Sequence, residues 1–341
     1  MSSSISSFNP WRRMLGWFVA SALGLLVFLF LFVSLIDPWG VLPLSPRLPR
    51  VPISTNARYS LPALAAAGRF DSAIVGSSSS RLLRPEVLDR EFGGRFANLA
   101  MNAATAWEQS QMLGLFIRHH PAARTVIIGL DSAWCTEAPQ RSSGRPFPEW
   151  MYAGSPWRGY GQMLNLYAVQ EAASQLWVML GLKRSRYGLD GYTSFVPPES
   201  AYDPARVAAG FARWGKPTDL PARHGEHVLP ALPMLGDALR ALPASTRKIV
   251  FFTPSHIALQ GAPGSDYAES MAACKTDVTQ MAAAVQNAVV VDFLIPSSIT
   301  NTEASYWDPV HYRIPIADRL MADLAAATRG QATPDDRILL P

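Results

Sequence analysis

Residues 70–81, FDSAIVGSSSSR, decide how this chain is interpreted. The Ala-Ile-Val run at 73–75 is a short apolar segment typical of a buried strand, and Gly76 allows the chain to leave that strand sharply. The serines at 77–80 then fall where a parallel sheet opens its carboxyl edge. Open α/β folds bind their ligands at that edge, so this stretch predicts both a fold class and the place of a site.

Other strands and helices follow at the pitch of a parallel α/β sheet. Apolar runs at 96–99, 125–131, 248–254 and 288–293 predict strands, and helical spacing recurs at 107–120, 167–180, 267–285 and 314–327. Such alternation predicts a central parallel sheet with right-handed crossovers. The stretch from about 135 to 240 breaks the rhythm and is rich in Gly, Pro and aromatic residues. We interpret it as a large insertion above the sheet edge.

The N-terminal region contains one long apolar segment. Residues 14–36 carry no charge and are long enough to cross a bilayer as a helix. Arg12 and Arg13 precede the segment, so the positive-inside rule predicts a cytoplasmic tail over 1–13. A cleaved signal peptide is the rival, but its apolar core is normally shorter and ends in a small-x-small site, which DPWGVLPLSP does not supply. We therefore expect a single-pass anchor in the inner (cytoplasmic) membrane, with the main domain periplasmic or extracellular.

The remaining boundaries follow from composition. Residues 37–62 contain many prolines, which predicts a semi-rigid linker holding the domain off the membrane. The domain is expected over 63–330, with the insertion inside it. The tail at 331–341 is polar and expected to be loose.

Composition also limits the classes of function. Hydrophobic residues make up 49% of the chain and charged residues 16%, which argues against disorder. The net charge of +4 is small and the basic residues are scattered, so nucleic-acid binding is not expected. Cys135 and Cys274 lack metal-type spacing, and the stretch from His224 to His227 lacks further ligands, so no metal or other cofactor is expected. The two cysteines can pair in an oxidising compartment, but no framework demands it.

A second polar block stands near the other end of the chain. A serine nucleophile needs a base, and the base needs a carboxylate that fixes its tautomer. The stretch Trp307-Asp-Pro-Val-His-Tyr supplies both in Asp308 and His311, within one loop that precedes a terminal helix. We expect this loop and the serine turn to meet in space.

These blocks resemble the SGNH (GDSL-like) hydrolase superfamily. The resemblance is closest to a membrane-anchored branch that includes the D-alanyl lipoteichoic acid transfer protein and the alginate O-acetylation proteins. It covers about residues 70–131 and 248–327. It implies a three-layer sandwich around a central parallel sheet, similar to flavodoxin.

The resemblance also implies residue roles. Gly76-Ser-Ser matches the family's first block and makes Ser78 the implied nucleophile. Asp-Pro-Val-His at 308–311 matches the last block, so His311 is the implied base and Asp308 its orienting carboxylate. The other serines of the turn would then form turn and capping hydrogen bonds.

The middle blocks depart from the family pattern. Ala103 replaces a glycine whose N–H binds the oxyanion, and it serves that role only if its φ is negative. Asp131 stands where an asparagine is usual, so it is expected to be protonated, turned away or used otherwise. Asn102 is an alternative donor. His256, at another predicted strand end, either lines the pocket or is a structural histidine.

The implied function is a membrane-anchored serine esterase or O-acyltransferase acting, with acetyl as the first choice of acyl group, on an envelope or exported polysaccharide. Its implied partners are the acylated or acceptor polysaccharide and a membrane acyl-donor protein. The alternative is a non-catalytic scaffold or glycan-binding protein of an envelope assembly complex, which the departures at Ala103 and Asp131 favour.

Overall fold

A computed structural model describes residues 10–152, 154–214, 217, 220–221 and 227–341. The structure is mixed α/β, with a central six-stranded, mostly parallel sheet and one apolar N-terminal helix. The strands are β1 (Ser72–Val75), β2 (Phe96–Asn98), β3 (Thr125–Leu130), β4 (Arg247–Phe252), β5 (Ala288–Asp292) and β6 (Arg337–Leu340). The helices are α1 (Pro10–Ile36), α2 (Ala57–Ser60), α3 (Pro62–Ala65), α4 (Pro85–Phe92), α5 (Ala106–His119), α6 (Glu149–Tyr152), α7 (Gly159–Gln162), α8 (Leu166–Met179), α9 (Pro204–Phe211), α10 (Leu232–Ala241), α11 (Asp266–Ala283) and α12 (Ile314–Ala327).

The strand order is β2-β1-β3-β4-β5-β6. The first five strands pair in parallel, and β6 pairs with β5 in the antiparallel direction. The chain passes from β1 outwards to β2 and then returns to the other side of β1 to form β3. This reversal places a topological switch point between β1 and β3, where open α/β sheets leave a crevice at their carboxyl edge.

Side chains of the central strands alternate between two apolar clusters, because successive residues of a strand point to opposite faces. One cluster contains Val126, Ile128 and Val250 and includes buried residues of α5, α10 and α11. The other contains Ile127 and Ile249 and includes residues of α4 and α12. Burial on both faces explains why these strands appear in the sequence as continuous apolar runs.

Local signals fix several element boundaries. Pro85 occupies the first turn of α4, where its missing N–H costs nothing, and Gly93 ends that helix with a left-handed φ of 68°. The predicted strands coincide with β1 to β5. The helices predicted at 107–120, 167–180, 267–285 and 314–327 coincide with α5, α8, α11 and α12, with small shifts of their ends. The predicted insertion contributes α6 to α10.

The segment at 37–62 is packed on the domain, so the prediction of a spacer is wrong. The Asp37 carboxylate is buried and accepts hydrogen bonds from the N–H of Leu42 at 2.9 Å and from the Ser45 hydroxyl at 2.7 Å. Trp39 is only 4% exposed. Its ring contacts those of Tyr59, Trp150 and Tyr167. Trp150 and Tyr167 lie far from this segment in the sequence, and the proline content alone does not reveal these contacts.

The tail at 331–341 is also ordered, contrary to the prediction. Its last residues form β6, in which Ile338 pairs with Val291 of β5. Asp335 is buried, forms an ion pair with Arg319 and accepts a hydrogen bond from the Ser298 hydroxyl at 2.8 Å. The polar residues that suggested a loose tail are therefore the ones that attach it.

Cys135 and Cys274 form a disulfide, which settles a pairing that the sequence left open. Their Cα atoms lie 5.5 Å apart, and the bond joins the loop after β3 to α11 across 139 residues of sequence. The start of the insertion is thereby tied to α11 of the domain.

Two glycines make room for the buried hydroxyl of Ser80 between β1 and β3. A Cβ added to Gly76 would lie 2.2 Å from Ser80 Oγ, and one added to Gly129 would lie 1.9 Å from it. On the Gly129 side the ring of Phe251 leaves no other space, at 2.9 Å. The position of the Ser80 side chain between the two strands therefore depends on both glycines.

We expect Gly129→Ala to lower the free energy of unfolding by about 1–3 kcal/mol, because the added methyl group overpacks the contact between the strands. Urea unfolding of the full chain measures this loss. Gly114→Ala in α5 is the matched control, since its Cβ would meet only the tip of Arg118 at 3.4 Å. In a helix this change stabilises by roughly 0.5–1 kcal/mol. Equal losses in both variants would contradict the packing account.

Candidate active site

The serine turn is held by backbone hydrogen bonds at the end of β1. The carbonyl of Gly76 accepts from the N–H of Met101 at 3.0 Å, and the carbonyl of Ser77 accepts from the N–H of Arg81 at 3.2 Å. The carbonyl of Ser79 accepts from the buried Tyr312 hydroxyl at 2.6 Å. The serine turn is therefore held by a hydrogen bond within itself and by hydrogen bonds from other segments.

The loop at 308–311 is closed by its own carboxylate. Asp308 Oδ1 accepts hydrogen bonds from the N–H groups of Val310 and His311, each at 2.9 Å. The N–H of Trp307 donates to the carbonyl of His311 at 2.8 Å, which closes the base of the loop. The side chains of Asp308 and His311 are thus presented from one rigid turn.

The structure brings the two turns together. His311 Nε2 lies 2.8 Å from Ser78 Oγ, and His311 Nδ1 lies 2.7 Å from Asp308 Oδ2. Ser78 is 9% exposed, whereas the His311 side chain is 20% exposed, so the pair remains accessible from solvent. The result is a continuous path of hydrogen bonds from hydroxyl to imidazole to carboxylate.

The surroundings of Asp308 favour its charged form. Burial works against the ionised form of Asp308, but the hydrogen bond and charge of His311 and the two amide hydrogen bonds outweigh it, so the pKa of Asp308 lies below its usual range. An ionised Asp308 holds the proton on His311 Nδ1 and leaves Nε2 free to accept one. The ring of Phe195, from the insertion, packs edge-on against His311 at 5.2 Å between centroids.

Ala103 does not have the negative φ that its backbone N–H would need in order to bind an oxyanion. Its φ is 53°, in the left-handed region, because the chain turns sharply before Thr105, the cap of α5. Asn102 lies in the same turn, and its side-chain oxygen accepts from Arg81 Nη1 at 3.2 Å. In the part of the chain that the structure describes, the N–H of Ser78 donates to no other group. That amide is therefore available beside the Oγ of Ser78, the candidate nucleophile.

Asp131 lies beside the serine turn at the end of β3. One of its oxygens accepts from the N–H of Ala133 at 2.9 Å, and the nearby Ser77 hydroxyl also favours the charged carboxylate. Burial nevertheless raises the pKa of Asp131 above its ordinary value, because it outweighs both of these effects. Asp131, beside the serine turn, is thus a residue whose neutral form the fold favours.

His256 is placed behind the loop at 308–311. Its backbone N–H donates to the carbonyl of Pro309 at 2.8 Å, and its Nδ1 accepts from the N–H of Ala258 at 3.2 Å. The ring is buried and packs edge-on against Phe211 and Tyr306. Of the two expectations for this residue, these contacts match the structural histidine.

A buried ion pair beneath the turn at 102–105 was not foreseen. The side chains of Arg58 and Glu108 are both fully buried, and Arg58 Nη2 lies 2.5 Å from Glu108 Oε2. Arg58 also donates to the carbonyls of Asn102 and Ala103, each at 3.3 Å. The only sequence signal is the capping box Thr105-x-x-Glu108 at the start of α5, which marks Glu108 but not its partner.

A cavity of about 430 Å³ opens beside the loop at 308–311. Asp308 and Trp307 form one side, and α9 of the insertion forms the other, with Arg206 and Arg213 among its lining residues. The described residues include no group of three His, Cys, Asp or Glu side chains placed to hold a metal ion. His227 contacts Glu137 at 3.0 Å, and residues 224 and 226 lie outside the described part of the chain.

No family model matches this chain, and no curated protein matches it. The geometry of the site alone indicates what its residues can do. His311 is placed to accept the proton of Ser78 Oγ, and Asp308 is placed to stabilise the imidazolium that forms. This arrangement can activate the serine for attack on a carbonyl carbon.

We expect Arg58→Met to lower the free energy of unfolding by about 3–5 kcal/mol, because it leaves the Glu108 carboxylate buried and unpaired. Adding Glu108→Gln to the same chain should recover part of the loss. Arg240→Met is the matched control, because the Arg240–Asp237 pair is exposed, and it should cost less than about 1 kcal/mol. Urea unfolding compares the three variants. A loss at Arg58 no larger than that at Arg240 would contradict this role.

Asp131→Asn should change the pH dependence of stability. Because the pKa of Asp131 is raised on folding, the folded state keeps a proton that the unfolded state releases, and the wild-type protein loses stability as pH rises through that interval. Asparagine does not titrate. The free energy of unfolding of the variant minus that of the wild type should therefore increase from about pH 4 to about pH 7. A difference that is constant with pH, or that decreases, would show that burial does not dominate at Asp131.

Proposed function

We propose that this protein is a membrane-anchored serine esterase or O-acyltransferase of the SGNH type. The observation that carries the proposal is the pair of distances from His311, 2.8 Å to Ser78 Oγ and 2.7 Å to Asp308 Oδ2. The site also lies beside the switch point between β1 and β3, where this class of sheet binds ligands. Apolar clusters on both faces of the sheet support the three-layer sandwich that the family has.

The reaction proceeds through an acyl-serine. Ser78 Oγ attacks the ester carbonyl carbon while His311 Nε2 takes its proton, giving a tetrahedral intermediate with a negative oxygen. The intermediate collapses, the C–O bond to the alcohol breaks, and His311 returns the proton to the leaving oxygen. Water or a sugar hydroxyl then attacks the acyl carbon with His311 again as the base. The bond from that carbon to Ser78 Oγ breaks, and His311 returns the proton to Ser78 Oγ.

The negative oxygen needs donors, and this chain supplies them differently from the pattern of the family. The free N–H of Ser78 is one donor. The left-handed φ of Ala103 argues against the second amide that the family uses. A neutral Asp131 would add no repulsion at this position, and its raised pKa favours that form.

The substrate class and the compartment complete the proposal. The resemblance points to acyl esters, acetyl first, on an envelope or exported polysaccharide, with a membrane acyl-donor protein as partner. α1 is long and apolar enough to span a membrane, at a mean hydropathy of 2.8, and we propose that it is an uncleaved anchor with its N-terminus in the cytoplasm. The disulfide between Cys135 and Cys274 supports an oxidising compartment for the domain.

A non-catalytic scaffold with the same fold is the second candidate. The φ of 53° at Ala103 and the carboxyl group of Asp131 favour it, because both weaken the usual oxyanion site. Such a protein would bind glycan or partner proteins through the insertion without forming an acyl-serine.

We expect the full chain in detergent to hydrolyse p-nitrophenyl acetate, and Ser78→Ala to reduce kcat/KM by at least about 100-fold because the nucleophile is lost. Ser132→Ala, an exposed serine that follows β3, is the control and should retain activity. Intact mass after a short reaction should show one acyl group on the wild-type protein and none on Ser78→Ala. An absence of both turnover and acyl-serine in the wild-type protein would favour the scaffold.

A further inference from the structure

Large exposed apolar side chains concentrate in the stretch that contains α7 and α8. Six of them, which we call the apolar face, are exposed by between 51% (Trp177) and 73% (Leu166). Its members are Trp157, Leu164, Leu166, Trp177, Leu180 and Leu182. Isolated exposed apolar residues are normal on a protein surface, but a group of this size within one short stretch marks a contact surface.

The apolar face belongs to the part of the domain that packs on α1. Helix α8 contacts α1 directly, and the buried side of α8 is formed by Ala168, Ala172 and Gln175. The ring of Tyr160 in α7 lies 6.3 Å from that of Phe30 in α1. Close packing against the last turns of α1 therefore places α7 and α8 beside the apolar helix.

The length of α1 determines where this contact lies relative to the bilayer. Its 27 residues extend about 40 Å, whereas a bilayer core of about 30 Å takes up about 20 residues. With Arg13 at the inner boundary, the hydrocarbon core ends close to Val33. Val33 and Ile36 are the residues of α1 that are buried against the domain. The contact between α1 and the domain, from Phe30 to Ile36, thus spans the level at which the bilayer core ends.

We propose that the apolar face lies in the outer interface of the bilayer that α1 crosses, so that lipid covers it. This inference rests on the anchor in the proposed function. Tryptophan is favoured at the interface between hydrocarbon and water, which suits Trp157 and Trp177. The exposed basic residues Lys183, Arg184 and Arg186 come directly after the apolar face and suit anionic headgroups.

Site-directed labelling of the full chain in liposomes of phosphatidylcholine and phosphatidylglycerol tests the proposal. Cys135 and Cys274 are paired, so a new cysteine takes the environment-sensitive NBD label alone. The test positions are Leu180→Cys and Leu182→Cys. The matched controls are Leu220→Cys and Val228→Cys, which are 57% and 68% exposed but lie outside the α7–α8 region.

Labels at 180 and 182 should be quenched by a lipid-borne nitroxide at least about twofold more than labels at 220 and 228, and protected from aqueous iodide by a similar factor. If iodide quenches all four labels equally while the protein resists alkaline carbonate extraction, the proposal that lipid covers the apolar face is overturned. The proposed membrane anchor would then still hold. Release of the protein by carbonate would overturn the anchor, and this inference with it. Protection that disappears on tenfold dilution with lipid would show a second copy as the occupant and also overturn the proposal.

Discussion

The site depends on the hydrogen bonds that join the serine turn to the loop at 308–311. The buried Tyr312 hydroxyl donates to the carbonyl of Ser79, and the Ser79 hydroxyl donates to the carbonyl of Val310 at 3.3 Å. These two contacts fix the distance between segments from opposite ends of the chain. The reach of His311 to Ser78 follows from them, because both side chains project from turns whose backbones are already linked.

The sheet and the position of Ser78 were predictable from sequence for one physical reason. Strands buried on both faces appear as unbroken apolar runs, and the polar residue that ends such a run must lie at the sheet edge. Asp308 and His311 lie in a loop well beyond the end of β5, and it was their three-residue spacing that predicted their roles. The contact between Arg58 and Glu108 was not predictable, because it joins segments that are distant in sequence. The left-handed φ of Ala103 was not predictable either, because an alanine rarely adopts it and nothing in its residue type indicates it.

The contacts of the insertion and of the N-terminal segment were not predictable from sequence for a similar reason. Their composition indicates loops, and only the folded structure shows what those loops contact. Phe195 lies against His311, α9 lines the cavity beside Asp308, and the disulfide ties the start of the insertion to α11. The insertion is thus in a position to select what reaches the site, whereas the central sheet only presents the reactive groups.

The packing of Trp39 and Asp37 on the domain has a consequence for how a polymer would be modified. A flexible tether of the length of residues 37–62 would let the domain wander by roughly 25–30 Å and search for scattered esters. With that segment folded onto the domain, the distance between Ser78 and the end of α1 is constant. Under the proposed function, a polymer would then be modified only where it passes at that fixed distance from the membrane.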